Sequence, residues 1–172
     1  MKKLFITLAF MAFIGSISAQ NSLSWEQDGM RCSINLNTGD FSITCYDNAR
    51  NAFTIYAPDY GFEVSVANGN ISYRNYDGKI CNVGSTSISY RNYDGKVCNI
   101  GSTSISYRNY DDKVCNIGST SISYRNYDSK VCNIGSTSIS YRNYDGKVCN
   151  VGSASISYDN SGKVCSIHGK VR

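Results

Sequence analysis

Residues 71–172 consist of one short sequence that is repeated six times. The first copy is Ile71-Ser-Tyr-Arg-Asn-Tyr-Asp-Gly-Lys-Ile-Cys-Asn-Val-Gly-Ser-Thr-Ser87. The later copies follow at a spacing of 17 residues and begin at Ile88, Ile105, Ile122, Ile139 and Ile156. The sixth copy is one residue shorter between its isoleucine and its cysteine. A fixed period of this size is typical of repeat architectures, in which each unit buries its surface against its neighbours.

The N-terminal residues have the features of an export signal. Lys2 and Lys3 precede an apolar run over residues 4–14, and small residues follow up to Ala19. This pattern predicts a signal peptide over residues 1–19 that is cleaved before Gln20. The apolar run is too short to span a bilayer. We therefore expect a secreted or cell-surface protein that is not inserted in the membrane after cleavage.

The charge of the chain does not indicate a nucleic-acid partner. Without Lys2 and Lys3, the 17 basic residues fall to 15 against 13 acidic ones, so the net charge falls from +4 to +2. The charges recur once per repeat rather than in a block, which argues against a basic binding patch.

The segment 20–70 is predicted to form an N-terminal β cap. Residues 23–34 align without gaps to residues 156–167 and indicate one diverged repeat. Residues 41–45, 53–56 and 62–66 alternate in polarity or are rich in β-branched residues, which predicts three further strands. Terminal units of repeat arrays are usually atypical in this way.

Two turns can be placed within each repeat. The Gly-Ser pairs that begin at Gly84, Gly101, Gly118, Gly135 and Gly152 suit a two-residue hairpin turn with glycine first, where φ must be positive. The other turn is expected to be a five-residue loop over residues 74–78 and their equivalents. The sixth copy is shortened there. Asp112 and Ser129 stand at the positions equivalent to Gly78 in the third and fourth copies, and we take this variation as tolerance of change in a loop.

These turns predict an all-β fold with two strands per repeat, which extend into an antiparallel β-meander. Across the long loop, Tyr73 would oppose Lys79 and Ile71 would oppose Cys81. Across the Gly-Ser turn, Val83 would oppose Thr86. The resulting buried face carries Ile71, Tyr73, Cys81 and Val83, while the opposite face is polar. Such a sheet cannot hide its apolar face alone, so it must roll into a shell, pack on the cap or meet another copy.

A β-solenoid with one coil per repeat is the alternative fold. It would stack identical side chains, lysine on lysine and arginine on arginine, about 4.8 Å apart. The meander separates equivalent residues by two strand spacings, about 9.6 Å, and so avoids most of this repulsion. Like-charge stacking therefore favours the meander.

The cysteines leave three interpretations open. Six of them recur with the repeat, namely Cys81, Cys98, Cys115, Cys132, Cys149 and Cys165. These cysteines and the first isoleucine of each repeat are predicted to have a structural role. The isoleucines are Ile71, Ile88, Ile105, Ile122, Ile139 and Ile156. The cysteines could be small apolar core residues. An exported chain with eight cysteines could instead form disulfides, and Cys32 with Cys45 is then the favoured intrachain pair outside the array. Metal binding is the third interpretation, but the sequence has no Cys-x-x-Cys or Cys/His cluster and predicts no metal site or cofactor.

The loop sequence Arg-Asn-Tyr-Asp is predicted to form a repeated ligand-binding row along one edge of the sheet. Tyrosine and arginine are common in binding surfaces because they offer flat rings and forked donors. A periodic row could engage a periodic ligand such as a polysaccharide by multivalency. The alternative is that each tyrosine folds back over the sheet and each arginine pairs with the loop aspartate. The candidate residues are Arg74, Tyr76, Arg91, Tyr93, Arg108, Tyr110, Arg125, Tyr127, Arg142 and Tyr144.

The sixth copy carries Tyr158-Asp-Asn-Ser-Gly-Lys-Val164, which resembles the bacterial Tyr-Asp (YD) repeats, also called RHS repeats. That resemblance covers only the repeat region and implies β-hairpins that form a spiral shell on secreted or surface proteins. The five inner copies depart from the motif, because Gly-Lys or a substitute follows Tyr-Asp directly. The chain is also similar to short secreted bacterial repeat proteins.

No nucleophile–base pair, paired carboxylate motif or phosphate loop is present in the sequence, and near-identical units are poorly suited to the unlike groups that catalysis needs. We therefore expect a non-catalytic extracellular binding or scaffold protein, with polysaccharide or other copies of the chain as partners. A self-assembling, fibre-forming β protein is the alternative.

Overall fold

The structure is a computed structural model that describes residues 21–57 and 61–171, and the predicted signal peptide lies outside these ranges. The described residues form 17 strands and contain no helix. All strand pairs are antiparallel, and the strands divide into two sheets of five and twelve. The predicted all-β class is confirmed.

The first sheet contains the N-terminal segment in simple chain order. Its strands are β1 (Ser22–Gln27), β2 (Met30–Asn35), β3 (Phe41–Tyr46), β4 (Ala52–Ala57) and β5 (Phe62–Ser65). Buried residues alternate with less buried ones along the middle strands, as expected for strands with one face against a core.

The second sheet contains the six repeats, again in chain order. Its strands are β6 (Ile71–Tyr73), β7 (Ile80–Val83), β8 (Thr86–Tyr90), β9 (Val97–Ile100), β10 (Thr103–Tyr107), β11 (Val114–Ile117), β12 (Thr120–Tyr124), β13 (Val131–Ile134), β14 (Thr137–Tyr141), β15 (Val148–Val151), β16 (Ala154–Tyr158) and β17 (Val164–His168). Each repeat folds back on itself as a hairpin, so the meander with two strands per repeat is confirmed and the solenoid is excluded.

The Gly-Ser turns form as predicted. The glycine of each pair has a φ of 56–58°, and Asn82 opposes Ser87 while Val83 opposes Thr86 across the first of these turns. The positive φ at the first turn residue fits the right-handed twist of the flanking strands.

The pairing predicted across the long loop is wrong. Tyr73 pairs with Ile80 rather than Lys79, and Ile71 pairs with Val83 rather than Cys81. Between these pairs the ladder contains a β-bulge, at which Cys81 and Asn82 together oppose Ser72. A loop one residue longer than predicted and the one-residue bulge together shift the partner of Ile71 by two residues. The sequence of a short strand does not indicate a bulge.

The bulge also changes which residues face the core. The residues equivalent to Ile80 and Val83 are both buried in the inner repeats, as Val97 and Ile100 show, whereas Cys98 and Asn99 between them are partly exposed. The prediction that the repeat cysteines lie on the buried face is therefore wrong. The residues at the Ile80 position face the core instead.

Position 78 and its equivalents have a left-handed backbone, which the variation of the residue at this position does not indicate. Gly78 has a φ of 68°, and the residues that replace glycine there, Asp112 and Ser129, have φ values of 57° and 60°. Polar residues with short side chains adopt this conformation at a modest cost, which explains why the substitutions are accommodated.

The two sheets pack face to face around one shared core. That core combines the fully buried Ile34, Leu36 and Phe53 of the N-terminal segment with the buried isoleucines and valines of the repeats. Of the three ways to cover the apolar repeat face, the chain therefore uses its own N-terminal sheet.

Polar contacts join the sheets at both margins. On the side of the Gly-Ser turns, Thr86 donates to Asp47 at 2.8 Å and Thr120 donates to Asp28 at 2.5 Å. On the side of the long loops, the Val148 N–H donates to the Leu36 carbonyl at 2.9 Å.

The N-terminal hairpin, which lacks the bulge, shows how the bulge changes the orientation of the cysteine. Leu23 pairs with Ile34, as the aligned Ile156 pairs with Ile167. This hairpin closes through a two-residue turn at Asp28-Gly29 and contains no bulge, so Cys32 faces inward and is fully buried. Its counterpart Cys165 lies at a bulge and is exposed.

Candidate functional site

The long loops all lie along one edge of the repeat sheet and share one backbone geometry. In the first loop, the Arg74 N–H donates to the Lys79 carbonyl at 2.8 Å and the Gly78 N–H donates to the Arg74 carbonyl at 3.0 Å. The next four loops repeat both hydrogen bonds at 2.8–3.0 Å. The loop is thus six residues long rather than five. We call the surface formed by these five loops the Tyr–Arg edge.

The loop tyrosines form a row of exposed rings along this edge. Each side chain is 77–78% exposed, so the alternative in which the rings fold back over the sheet is wrong. Because equivalent residues are two strands apart, the rings follow one another at about 9.6 Å. The members of the row are Tyr76, Tyr93, Tyr110, Tyr127 and Tyr144.

Each loop arginine is fixed by the aspartate three residues later. The Arg74 guanidinium donates to both carboxylate oxygens of Asp77, from Nε at 3.0 Å and from Nη2. This part of the predicted alternative is observed in all five loops, since the same pair recurs at Arg91, Arg108, Arg125 and Arg142.

The same guanidinium contacts two aromatic rings. The Cζ of Arg74 lies 4.7 Å from the ring centre of Tyr76 in its own loop and 4.4 Å from that of Tyr90 in the next repeat. The distance to the loop tyrosine is 4.7 Å in all five repeats. Cation–π contacts of this kind hold a ring without covering it completely. The arginine therefore orients its loop tyrosine while leaving most of the ring accessible.

The strand tyrosines from Tyr90 onwards link successive repeats, a role that the repeat pattern does not indicate. The Tyr90 hydroxyl donates to the Ile80 carbonyl of the preceding hairpin at 2.7 Å, and Tyr141 makes the equivalent bond to Val131 at 2.8 Å. Burial raises the pKa of Tyr158, the last of these residues, to about 12. From Tyr90 onwards the strand tyrosines are thus packed hydrogen-bond donors, whereas Tyr73 and the loop tyrosines are exposed.

Lysine side chains cross the clefts between neighbouring loops. The Lys79 ammonium donates to the Gly95 carbonyl of the next loop at 2.8 Å, and the Lys130 ammonium donates to the Gly146 carbonyl at 2.5 Å. The cleft between the first two loops has a volume of about 380 Å³ and is lined by Tyr76 and Tyr93. This cleft therefore presents exposed rings beside a positioned ammonium group.

All eight cysteines are free thiols, and the suggested bond between Cys32 and Cys45 is not formed. Both of these cysteines are buried among apolar residues. The five inner repeat cysteines are partly exposed beside the bulge, and Cys165 is exposed. Neighbouring repeat cysteines are about 9.6 Å apart, too far for a disulfide within the chain, which needs Cα atoms within about 7 Å.

We expect native-state labelling to separate these two groups of thiols. In the reduced, folded protein, a maleimide should modify the six repeat cysteines and leave Cys32 and Cys45 unmodified. Burial raises the pKa of Cys32 to about 12 and that of Cys45 to about 11, so little reactive thiolate forms. Intact-mass spectrometry should show six adducts before denaturation and eight after it. Protection of the repeat thiols in the folded state would contradict the bulge.

Other candidate sites find no support in the described residues. Thr120 and Thr137 are buried on the core side of the repeat sheet. Within residues 21–57 and 61–171, no group of three or more His, Cys, Asp or Glu side chains is arranged to hold a metal ion. That same part of the chain has no helix with the length and hydropathy needed to cross a membrane.

Comparison with family models, with curated proteins and with solved structures finds no match to this chain.

Proposed function

We propose that the chain is an exported, non-catalytic binding or scaffold protein of the cell surface or extracellular space, and that its Tyr–Arg edge binds polysaccharide. One observation carries the proposal: five loop tyrosines stand 77–78% exposed at a regular interval, each at 4.7 Å from its arginine. Exposed apolar surface that is repeated and held in place is typical of an interaction site.

The chemistry of the row suits an extended carbohydrate. Sugar rings present C–H faces that stack on aromatic rings, while their hydroxyl groups accept hydrogen bonds from guanidinium groups. The tyrosine interval of about 9.6 Å corresponds to two strand spacings and is comparable to the repeat of a polysaccharide built of disaccharide units. Each contact alone is weak, but five contacts on one rigid sheet add through multivalency.

Replacement of the loop tyrosines tests this proposal. We expect the variant Y76A/Y93A/Y110A/Y127A/Y144A to lose affinity for polysaccharide by about 100-fold or more, since linked weak sites contribute avidity of that order. Variants with one or three replacements should lose affinity in steps. Affinity electrophoresis in gels that contain a panel of polysaccharides measures the change.

A matched control replaces five exposed serines on the outer face of the same strands. The variant S72A/S89A/S106A/S123A/S140A should bind as the wild type does, because these side chains lie away from the loop edge. If the five-tyrosine variant remains folded by circular dichroism and binds every polymer as tightly as the wild type, the proposal is wrong.

A second candidate function is end-to-end assembly of the repeat sheet, which the exposed first repeat strand favours. Ile71 is 38% exposed, whereas the equivalent Ile88 is 4% exposed, and Tyr73 is 57% exposed, whereas Tyr141 is 7% exposed. The strand order ends with β6 on one side and β17 on the other. Such edges can pair with the edges of another copy.

Charged residues on β6 test this assembly. If copies join through β6, sedimentation velocity should show association that grows with protein concentration, and electron microscopy should show filaments. The variant I71K/Y73K should then remain monomeric, because edge lysines oppose strand pairing. Replacing the exposed Tyr46, which lies on the other sheet, by lysine should have no effect. Monomeric wild-type protein at high concentration would exclude this function.

A further inference from the structure

The loops of the Tyr–Arg edge carry more positive than negative charge. Four of the five loops contain one arginine, one lysine and one aspartate, and the third loop contains an additional aspartate, Asp112. These five loops therefore have a net charge of +4, which exceeds the +2 of the chain after residue 19. Folding brings charges that are dispersed in the sequence onto a single edge.

The arginines do not supply this excess charge, because their aspartates balance them. Asp77 accepts both hydrogen bonds from Arg74 and a third from the Lys79 backbone N–H at 3.2 Å. The aspartate is thus satisfied within its own loop, and the lysine side chain remains as the unbalanced cation.

The lysines hold that charge at the cleft between loops. The ammonium groups of Lys79, Lys130 and Lys147 donate to backbone carbonyls of the following loop, at Gly95, Gly146 and Gly162. Within the described part of the chain, no carboxylate lies within 4.0 Å of these three ammonium groups. A carbonyl bond uses one of three N–H donors and leaves the charge unneutralised.

The third loop provides an internal comparison. Asp112 lies across the cleft from the second loop, where it accepts a hydrogen bond from Arg91 at 3.3 Å and lies 3.5 Å from the Lys96 ammonium. This cleft therefore already contains its own anion. Its geometry shows that an oxygen anion fits beside the lysine and the arginine of one loop.

We infer that the Tyr–Arg edge selects anionic polysaccharides, with a carboxylate or sulfate group of the polymer in each of the clefts that Lys79, Lys130 and Lys147 cross. The inference rests on the proposed function, since the tyrosine rings supply the sugar contacts and the lysines supply the selection. The Asp112 carboxylate occupies the position that a polymer anion takes in the other clefts. Flat rings beside cations can also stack nucleic-acid bases, so single-stranded DNA is a required comparison.

The first test compares polymers on the wild-type protein. A polyuronate should bind at least 10-fold more tightly than an uncharged glucan of similar length at low salt. The difference should shrink as salt is raised, because ions screen exposed charges. A sulfated glucan distinguishes the two anion types, and the inference holds if either anionic polymer exceeds the neutral one. Tighter binding of single-stranded DNA than of both anionic polymers would overturn it.

The second test uses variants of opposite expected effect. The variant K79Q/K130Q/K147Q should lose about 10-fold in affinity for the preferred anionic polymer and bind the neutral glucan as before. The variant D112G should gain about threefold for the anionic polymer, because it empties one cleft and glycine suits the positive φ at this position.

These outcomes separate the two proposals. If the lysine variant binds the anionic polymer unchanged while the tyrosine variant loses binding, the charge inference is wrong and the polysaccharide function remains. If the tyrosine variant binds all polymers unchanged, the function itself is wrong. Thermal unfolding of each variant, compared with the wild type, verifies that the affinities refer to folded protein.

Discussion

Replacing Phe53 by alanine is expected to destabilise the protein by about 3–5 kcal/mol, the range for a large aromatic side chain removed from a packed core. Phe53 lies on β4 between Cys45 and Val64, and it is fully buried in the core that the two sheets share. The loss should appear as a lower urea midpoint with little change in slope.

The control for this experiment is Tyr46→Ala, which removes an exposed tyrosine from the end of the neighbouring strand. Surface changes of this kind usually stay within about 0.5 kcal/mol. Because the sheets share one core, Phe53→Ala should lower a single transition that includes the repeats. Two separate transitions, with the repeat sheet unaffected, would show that the array folds without its N-terminal cover.

Replacing Asn51 by alanine is expected to cost about 2–4 kcal/mol, because it removes three hydrogen bonds of a buried side-chain amide, each worth roughly 0.5–1.5 kcal/mol. Asn51 is fully buried. Its side-chain oxygen accepts from the N–H groups of Ala67 and Asn68, both at 2.9 Å, and its side-chain nitrogen donates to Asp47 at 2.8 Å. Asn51 thus fixes the connection that leads from the first sheet into the repeats.

The matched control is Asn68→Ala, which removes an exposed amide that donates to the Ala49 carbonyl. We expect its cost to stay below about 1 kcal/mol, the usual value for an exposed hydrogen bond. Urea unfolding followed by circular dichroism measures both variants. Equal effects of Asn51→Ala and Asn68→Ala would contradict the role assigned to the buried amide.

The same network should make stability depend on pH. Burial alone would raise the pKa of Asp47, but hydrogen bonds from Asn51, Thr86 and Ala49 outweigh burial and lower the pKa below its usual value. The folded state therefore binds the proton less readily than the unfolded chain. The stabilisation is complete above the unfolded pKa of about 3.9 and is lost as pH falls through the folded pKa. The urea concentration at the unfolding midpoint should decrease when the pH is lowered below about 4. This decrease should be smaller in Asp47→Asn.

Much of the fold follows from the repeat alone. The 17-residue period, the Gly-Ser pairs and the alternation around Ile88 and Tyr90 predict a hairpin, and charge repulsion between stacked lysines disfavours a coil. The loop residues could likewise be chosen as a binding row, since Arg74 and Tyr76 recur with every repeat. These features are local, or they depend on spacing along the chain, so one sequence contains enough information for them.

The positions of the cysteines and lysines could not be predicted in the same way. Whether Cys81 faces the core depends on one extra residue in a strand, and the Ile80 carbonyl beside that bulge accepts a hydrogen bond from Tyr90 of the next repeat. The Asp28-Gly29 pair, a common signal for a two-residue turn, could have shown that the first hairpin differs from the others. Alignment with the sixth repeat gave Cys32 and Cys165 the same place, although they face different environments.

The hairpin unit, its Gly-Ser turn and the residues that each unit offers to the loop edge follow from the sequence alone, because these depend on local backbone preferences and a fixed period. Packing between distant parts of the chain sets three further features: the N-terminal sheet covers the repeat face, the six repeat cysteines lie outside the core, and Lys79 and its equivalents cross to the next loop. Each of these depends on contacts between residues far apart in the chain, where a shift of one residue in pairing moves a side chain between the core and the solvent.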